Sequence, residues 1–191
     1  STALYLARQA VESGSADCVL ALGFEQMRPG ALGDIYTDRP SPFGEFNDTC
    51  EQLVGNSHIP LALRYFGGAG KSHMDKYGTT MKDFAKIRAK ASRHASKNPL
   101  ALFKKEVSEE EVLNSPIMWP GVMTRLMACP PTCGGAAAIL VSEKFAKKHN
   151  IDVSVRILAQ SMTTDYESTF AENDMMQLVG YDMSKEAAKN V

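Results

Sequence analysis

The chain has 191 residues, 44% of them hydrophobic and 23% charged, with four cysteines and a formal net charge of -1. That is the composition of a globular protein able to bury a core in one domain or a domain and a half, and four cysteines do not make a disulfide framework. A near-zero charge gives no overall reason to bind nucleic acid or an anionic membrane surface, and no apolar run is long enough for a transmembrane segment.

Residues 1–12 read as a helix, with Ala3, Leu4, Ala7, Ala10 and Val11 as a stripe of apolar, mostly small residues. Gly14, Ser15 and Asp17 end it. The run Cys18-Val19-Leu20-Ala21-Leu22-Gly23 then reads as a fully buried strand, with Cys18 as core packing. Ser1 is not Met and the helix begins at once, so the chain is expected to be an internal piece of a longer protein. With no signal segment at its start, it is expected to be intracellular. From Glu25 to Pro60, Pro29, Gly30, Gly33, Pro40, Pro42, Gly44 and Asn47 interrupt every apolar pattern, which predicts one long irregular excursion.

Pro60 suits the first turn of a helix carrying Leu61, Leu63, Phe66, Met74 and Tyr77, which Gly78 stops. Gly67, Gly68 and Gly70 inside it each cost about 1 kcal/mol relative to Ala and so need a packing or ligand reason. Gly70-Lys71-Ser72 is not a phosphate loop, because Tyr65 stands where the first glycine belongs and no strand precedes it. A second helix starts near Thr79 or Thr80 and carries Met81, Phe84, Ile87, Ala91 and Ala95, ending before Asn98-Pro99. Lys82, Lys86, Arg88, Lys90, Arg93 and Lys97 make its outer face basic, either as a solvated face or as a site for an anionic ligand tail or partner. Ser108-Glu109-Glu110-Glu111 is a capping box opening a short helix to Asn114. An apolar connector from Pro116 through Trp119 and Gly121 leads to Cys129-Pro130-Pro131-Thr132-Cys133.

Ala136 to Val141 is a continuous apolar run read as a buried strand, and Ser142 caps a helix that stops at Asn150. Val153 to Ala159 alternates like a strand, Met175 to Val179 suggests a helical turn, and Ser184 opens a last helix. Helix, strand and helix in alternation indicate an α/β protein. The four histidines lie in separate segments, and Cys129 and Cys133 share a Pro-Pro turn rather than a helix face, so no metal site is expected. No base is visible beside either cysteine, and no complete catalytic set can be read from these residues alone.

The Cys-Pro turn running into Gly135-Ala136-Ala137-Ala138-Ile139-Leu140-Val141-Ser142-Glu143 resembles the thiolases, specifically the sterol-carrier type of peroxisomal 3-oxoacyl-CoA thiolase. Val19 to Glu25, Gly68 to Met74, Asp83 to Ile87 and Asp182 to Ala188 carry the same resemblance, so that it spans essentially the whole chain. It implies a layered αβαβα fold, present in part: residues 1–37 and 128–150 in the first half, 38–127 as an inserted loop subdomain, and 151–191 opening the second half. The family reaction is acyl transfer between a 3-oxoacyl-CoA and CoA. The resemblance further implies coenzyme A as a co-substrate, no cofactor, a homodimer for the complete protein and the peroxisome as its compartment.

The resemblance places the family's acylated cysteine just before Ser1 and its histidine after Val191. The chain as given is therefore expected to be an inactive fragment of an acyl-CoA acyltransferase, with no catalytic residue of its own. Tyr65, Phe66 and Gly67 match the loop that lines the acyl pocket and approaches the neighbouring subunit. Cys129, Pro130 and Cys133 match the turn flanking the pantetheine arm, and Gly134 stands where the family has Asp. The alternative implied is a non-catalytic thiolase-like protein serving lipid binding, lipid transfer or protein interaction.

Overall fold

The computed structural model describes residues 2–28, 30 and 36–191; the expectations placed on Ser1, Pro29 and Gly33 lie outside them. In chain order, α1 spans Thr2–Glu12, β1 Cys18–Glu25, α2 Gly44–Val54, α3 Leu61–Tyr77, α4 Met81–Ala95 and α5 Glu109–Leu113. Then come β2 (Ile117–Trp119), β3 (Met123–Thr124), a 3-10 turn (Arg125–Met127), β4 (Gly134–Val141), α6 (Glu143–His149), α7 (Ser168–Ala171), α8 (Met175–Leu178) and α9 (Tyr181–Lys189). The chain divides into two compact units: Ser1–Pro29 with Thr132–Thr164 and Met183–Val191, and Gly30–Pro131 with Asp165–Asp182.

In the first unit β1 and β4 pair antiparallel, from Cys18 opposite Val141 to Glu25 opposite Gly134. Helix α1 packs on both strands and buries Ala7 and Ala21. The expectation of two fully buried strands is corrected here. Because side chains alternate along a strand, Leu20, Leu22 and Phe24 share the face opposite Ala21, and with Ile139 they are 54–81% exposed. Cys18, read as core, is exposed as well. The Ser142 hydroxyl accepts from the Phe145 N–H and donates to the Asp17 carboxylate at 2.7 Å, tying the cap of α6 to the turn before β1. Asn150 ends α6 in the left-handed region at φ 52. Val153 to Ala159 forms no strand: no partner pairs with it among the described residues, and Val155 and Leu158 are 91% and 90% exposed. Alternation alone does not make a strand without a ladder to join.

The second unit is largely helical. Its core joins Cys50 of α2 with Met175 and Leu178 of α8, and Phe46, Leu53, Val54, Tyr65, Ala69 and Phe170 pack around them. Helix α2 corrects the reading of this stretch as irregular throughout. Gly44 is its first residue and Asn47 lies in its first turn, positions where neither breaks a helix, and Phe46, Cys50, Leu53 and Val54 follow at helical spacing.

Helix α3 begins after Pro60 and ends at Gly78 in the left-handed region, as its sequence predicted. In α4, Thr80 and Asp83 form a capping box, and the Thr80 N–H and hydroxyl hold the Asp83 carboxyl below its usual range. Ser108 and Glu111 form the second box at α5. Between these helices Ser92, buried in α4, donates to the Ala89 carbonyl and accepts from the Val107 N–H, while Thr124 donates to the Val112 carbonyl at 2.7 Å. The connector after α5 is a small hairpin, with β2 and β3 antiparallel.

The glycines of α3 have a packing reason. A Cβ on Gly67 would stand 2.7 Å from Cε3 of Trp119, and one on Gly68 would stand 2.8 Å from Cε of Met175 and 3.1 Å from Cγ1 of Val54. Gly70 differs, because its Cβ would meet only the Phe84 ring at 3.6 Å, an ordinary contact. Gly70→Ala is accordingly expected to stabilise the chain by up to about 1 kcal/mol, the helix-propensity difference, as read from the urea midpoint. A loss of stability would show that Phe84 cannot accept the methyl group.

Candidate functional site

Within the second unit α3, α4 and the β3 hairpin enclose a cavity of about 300 Å³, at the small end of the range for ligand pockets. Helix α3 contributes Phe66, Gly67 and Gly70, and α4 contributes Phe84, Ile87, Arg88 and Ala91, four residues at helical spacing along one face. Val122, Met123 and Met127 complete the wall. The glycines make the hollow possible: Gly67 lets the Trp119 ring lie against the backbone of α3, and Gly70 leaves room beside Phe84. Phe66 and Ile87 are 65% and 66% exposed and mark an open, apolar mouth.

Among the described residues lining the cavity, Arg88 is the one charged side chain. Its Nε donates to the Leu126 carbonyl at 2.8 Å. This corrects its place in the sequence reading, which put it on the outer basic face with Lys82, Lys86, Lys90, Arg93 and Lys97. Those five are exposed, whereas Arg88 is half-buried, one turn after Phe84. The four-residue interval between Phe84 and Arg88 was the available signal.

The residues matched by resemblance fall into different places. Phe66 and Gly67 line the cavity. Tyr65 packs instead against the Cys50 cluster on another side of α3, and its hydroxyl donates to Oδ1 of Asn47 at 2.5 Å. Burial pushes the Tyr65 phenol up, and burial likewise pushes the Cys50 thiol up, with Arg64 opposing both. A buried thiol held protonated in this way packs as a small apolar group and is a poor nucleophile. Cys129 and Pro130 are exposed residues of the second unit, beyond the 3-10 turn, and do not line the cavity. Cys133 belongs to the first unit, where its Sγ accepts from the Met27 N–H at 3.2 Å.

Among the described residues lining the cavity there is no acid–base pair or nucleophile. What it can do chemically is desolvate an apolar chain beside a fixed cation. Among the described residues no three His, Cys, Asp or Glu side chains converge as a metal site, and no helix is long and apolar enough to cross a membrane.

No protein-family model matches the chain. It is 48% identical over 191 residues to sterol carrier protein 2 of Oryctolagus cuniculus, a match covering 99% of this chain and 35% of that protein. It is 28% identical over 181 residues to acetyl-CoA acetyltransferase of Methanothermobacter thermautotrophicus, covering 95% of this chain and 44% of the relative. The chain thus spans about a third to under half of the length of these relatives. Among solved structures, an Ltp2-ChsH2(DUF35) aldolase chain superposes with a TM-score of 0.58 at 21% identity, over 75% of this chain and 35% of its own, a likeness of fold.

Proposed function

Because the chain is a thiolase-like relative that shares part of the thiolase α/β fold, we propose that it supplies acyl-chain binding to an acyl-CoA acyltransferase of the 3-oxoacyl-CoA thiolase class. The observation carrying this reading is the apolar cavity walled by Phe66, Gly67, Phe84, Ile87 and Met123. The unit that contains it serves, in this proposal, as the family's inserted loop subdomain. The acyl chain enters between α3 and α4, and leaving water is its main driving force. Tyr65 anchors α3 to α2 through Asn47 and so holds Phe66 and Gly67 in place. Cys129, Pro130 and Cys133 are proposed to flank the pantetheine arm of coenzyme A. The bond-breaking step is assigned to no residue of this chain, and sterol-carrier-type β-oxidation in the peroxisome by a homodimer is the setting that goes with the resemblance.

Titration with CoA and with hexanoyl-, octanoyl- and decanoyl-CoA tests this. Each methylene buried is worth up to about 0.8 kcal/mol, so affinity is expected to rise by up to about fourfold per methylene until the cavity is full. Ala91→Trp, which fills the cavity from α4, is expected to flatten that dependence, with circular dichroism checking the fold. Equal affinities for CoA and decanoyl-CoA would overturn the reading.

A further inference from the structure

The guanidinium of Arg88 is the feature that an apolar-chain site does not need. A half-buried charge in an apolar wall is costly unless something of opposite charge meets it. On the same helix Lys86 pairs with Asp83, and Lys82, Lys90 and Arg93 stand exposed to water, which solvates their charge. Among the described residues no carboxylate pairs with Arg88. Its Nε is committed to the Leu126 carbonyl, which fixes the plane of the group, and the remaining N–H donors sit on the two Nη atoms. A planar fork of that kind matches an oxyanion, a carboxylate or a phosphate, better than a hydroxyl or an ester, and in an otherwise apolar cavity the singly charged carboxylate is the less costly of the two to desolvate.

Resting on the reading of this cavity as a chain-binding site, we propose that it selects an apolar chain ending in a carboxylate, with Arg88 holding the carboxylate and Phe66, Phe84, Ile87 and Met127 enclosing the chain. The carboxylate has two possible sources with one chemistry: a free fatty acid, or the far end of a dicarboxylic acyl chain whose other end is the CoA thioester. The first enters head first and needs no CoA; the second reaches Arg88 with its tail.

Two pairs of ligands at neutral pH test the proposal, decanoate against decanol and decanedioyl-CoA against decanoyl-CoA, each with the unaltered chain and with Arg88→Gln. Hydrogen bonds to a charged group are worth enough that the carboxylate member of at least one pair is expected to bind about tenfold tighter or more. Arg88→Gln should remove that preference while leaving decanol and decanoyl-CoA within about twofold of their original affinities. Preference in the first pair identifies the free acid, and preference confined to the second identifies the dicarboxylic chain. Should neither pair show a preference that depends on Arg88, or should Arg88→Gln weaken the neutral and the acidic ligands equally, the proposal fails and Arg88 only props the Leu126 carbonyl. Chain-length dependence of acyl-CoA binding that survives such a result leaves the acyl-chain reading standing and sinks this inference alone.

Discussion

Leu178→Ala is expected to destabilise the second unit by about 3 kcal/mol, seen as a lower urea midpoint with an unchanged slope. Leu178 is 2% exposed, and Cys50 and Met175 share its cluster with Phe46 and Phe170, whose rings meet edge to face at 4.9 Å. Removing most of its side chain forfeits the transfer energy and leaves a hole. Met175 can swing partly into the space, which keeps the expected loss near the middle of the range of about 2–5 kcal/mol for such truncations. The chain has a single tryptophan, Trp119, in the same unit, so its emission reports the transition directly. The result also checks the joining of Asp165–Asp182 to Gly30–Pro131. A loss below about 1 kcal/mol, the size of an ordinary surface change, would mean that α8 is not docked against α2 and α3.

Gly68→Leu is expected to cost about 2 kcal/mol net, opposite in sign to Gly70→Ala two residues further along the same helix. Leucine regains up to about 1 kcal/mol of helix propensity over glycine, but overpacking a closed contact costs typically about 1–3 kcal/mol and sometimes more. The contact here is closed from two sides. Met175 Cε at 2.8 Å is the free end of a flexible chain and can move, whereas its Cγ and Val54 Cγ1, both at 3.1 Å, cannot retreat far in a filled core. Truncating the obstacle in the same chain, as Gly68→Leu with Met175→Ala, should cost less than the sum of the two single changes, since residues in contact couple non-additively. A stabilised single mutant, or full additivity in the double, would show that the α3–α8 contact is looser than the distances indicate.

Helix ends were the most legible part of this chain. Pro60 before α3, Ser108 with Glu111 at α5 and Ser142 with Asn150 around α6 all stand where the sequence placed them, and of the two starts the sequence left open for α4, Thr79 and Thr80, it is Thr80 that caps it. Helix α2 was hidden because Gly44 and Asn47 count as breakers only away from a first turn. Its apolar spacing was present all along. The cavity was half legible: Phe66 and Gly67 were singled out, while Arg88 was grouped with its neighbours on the basic side and Tyr65 with Phe66, from which it turns away.

Though it missed α2 and set the start of α9 at Ser184 rather than Tyr181, the sequence by itself determined the α/β character, the ends of α3 and α6 and the start of α5, and the need for a packing or ligand reason at Gly67, Gly68 and Gly70. Those features depend on hydrogen bonds, backbone dihedrals and side-chain size within about one helical turn, and such short-range terms are written in consecutive residues. Tertiary structure alone decided that Trp119 and Met175 are the close neighbours of Gly67 and Gly68, that β4 is exposed on both faces from Gly134 to Ile139, that residues 153–159 pair with no strand among the described residues, and that Arg88 borders a hollow. Each of these is a matter of which distant residues come to lie against a surface, and an apolar run states only that a face is fit for cover, not what covers it.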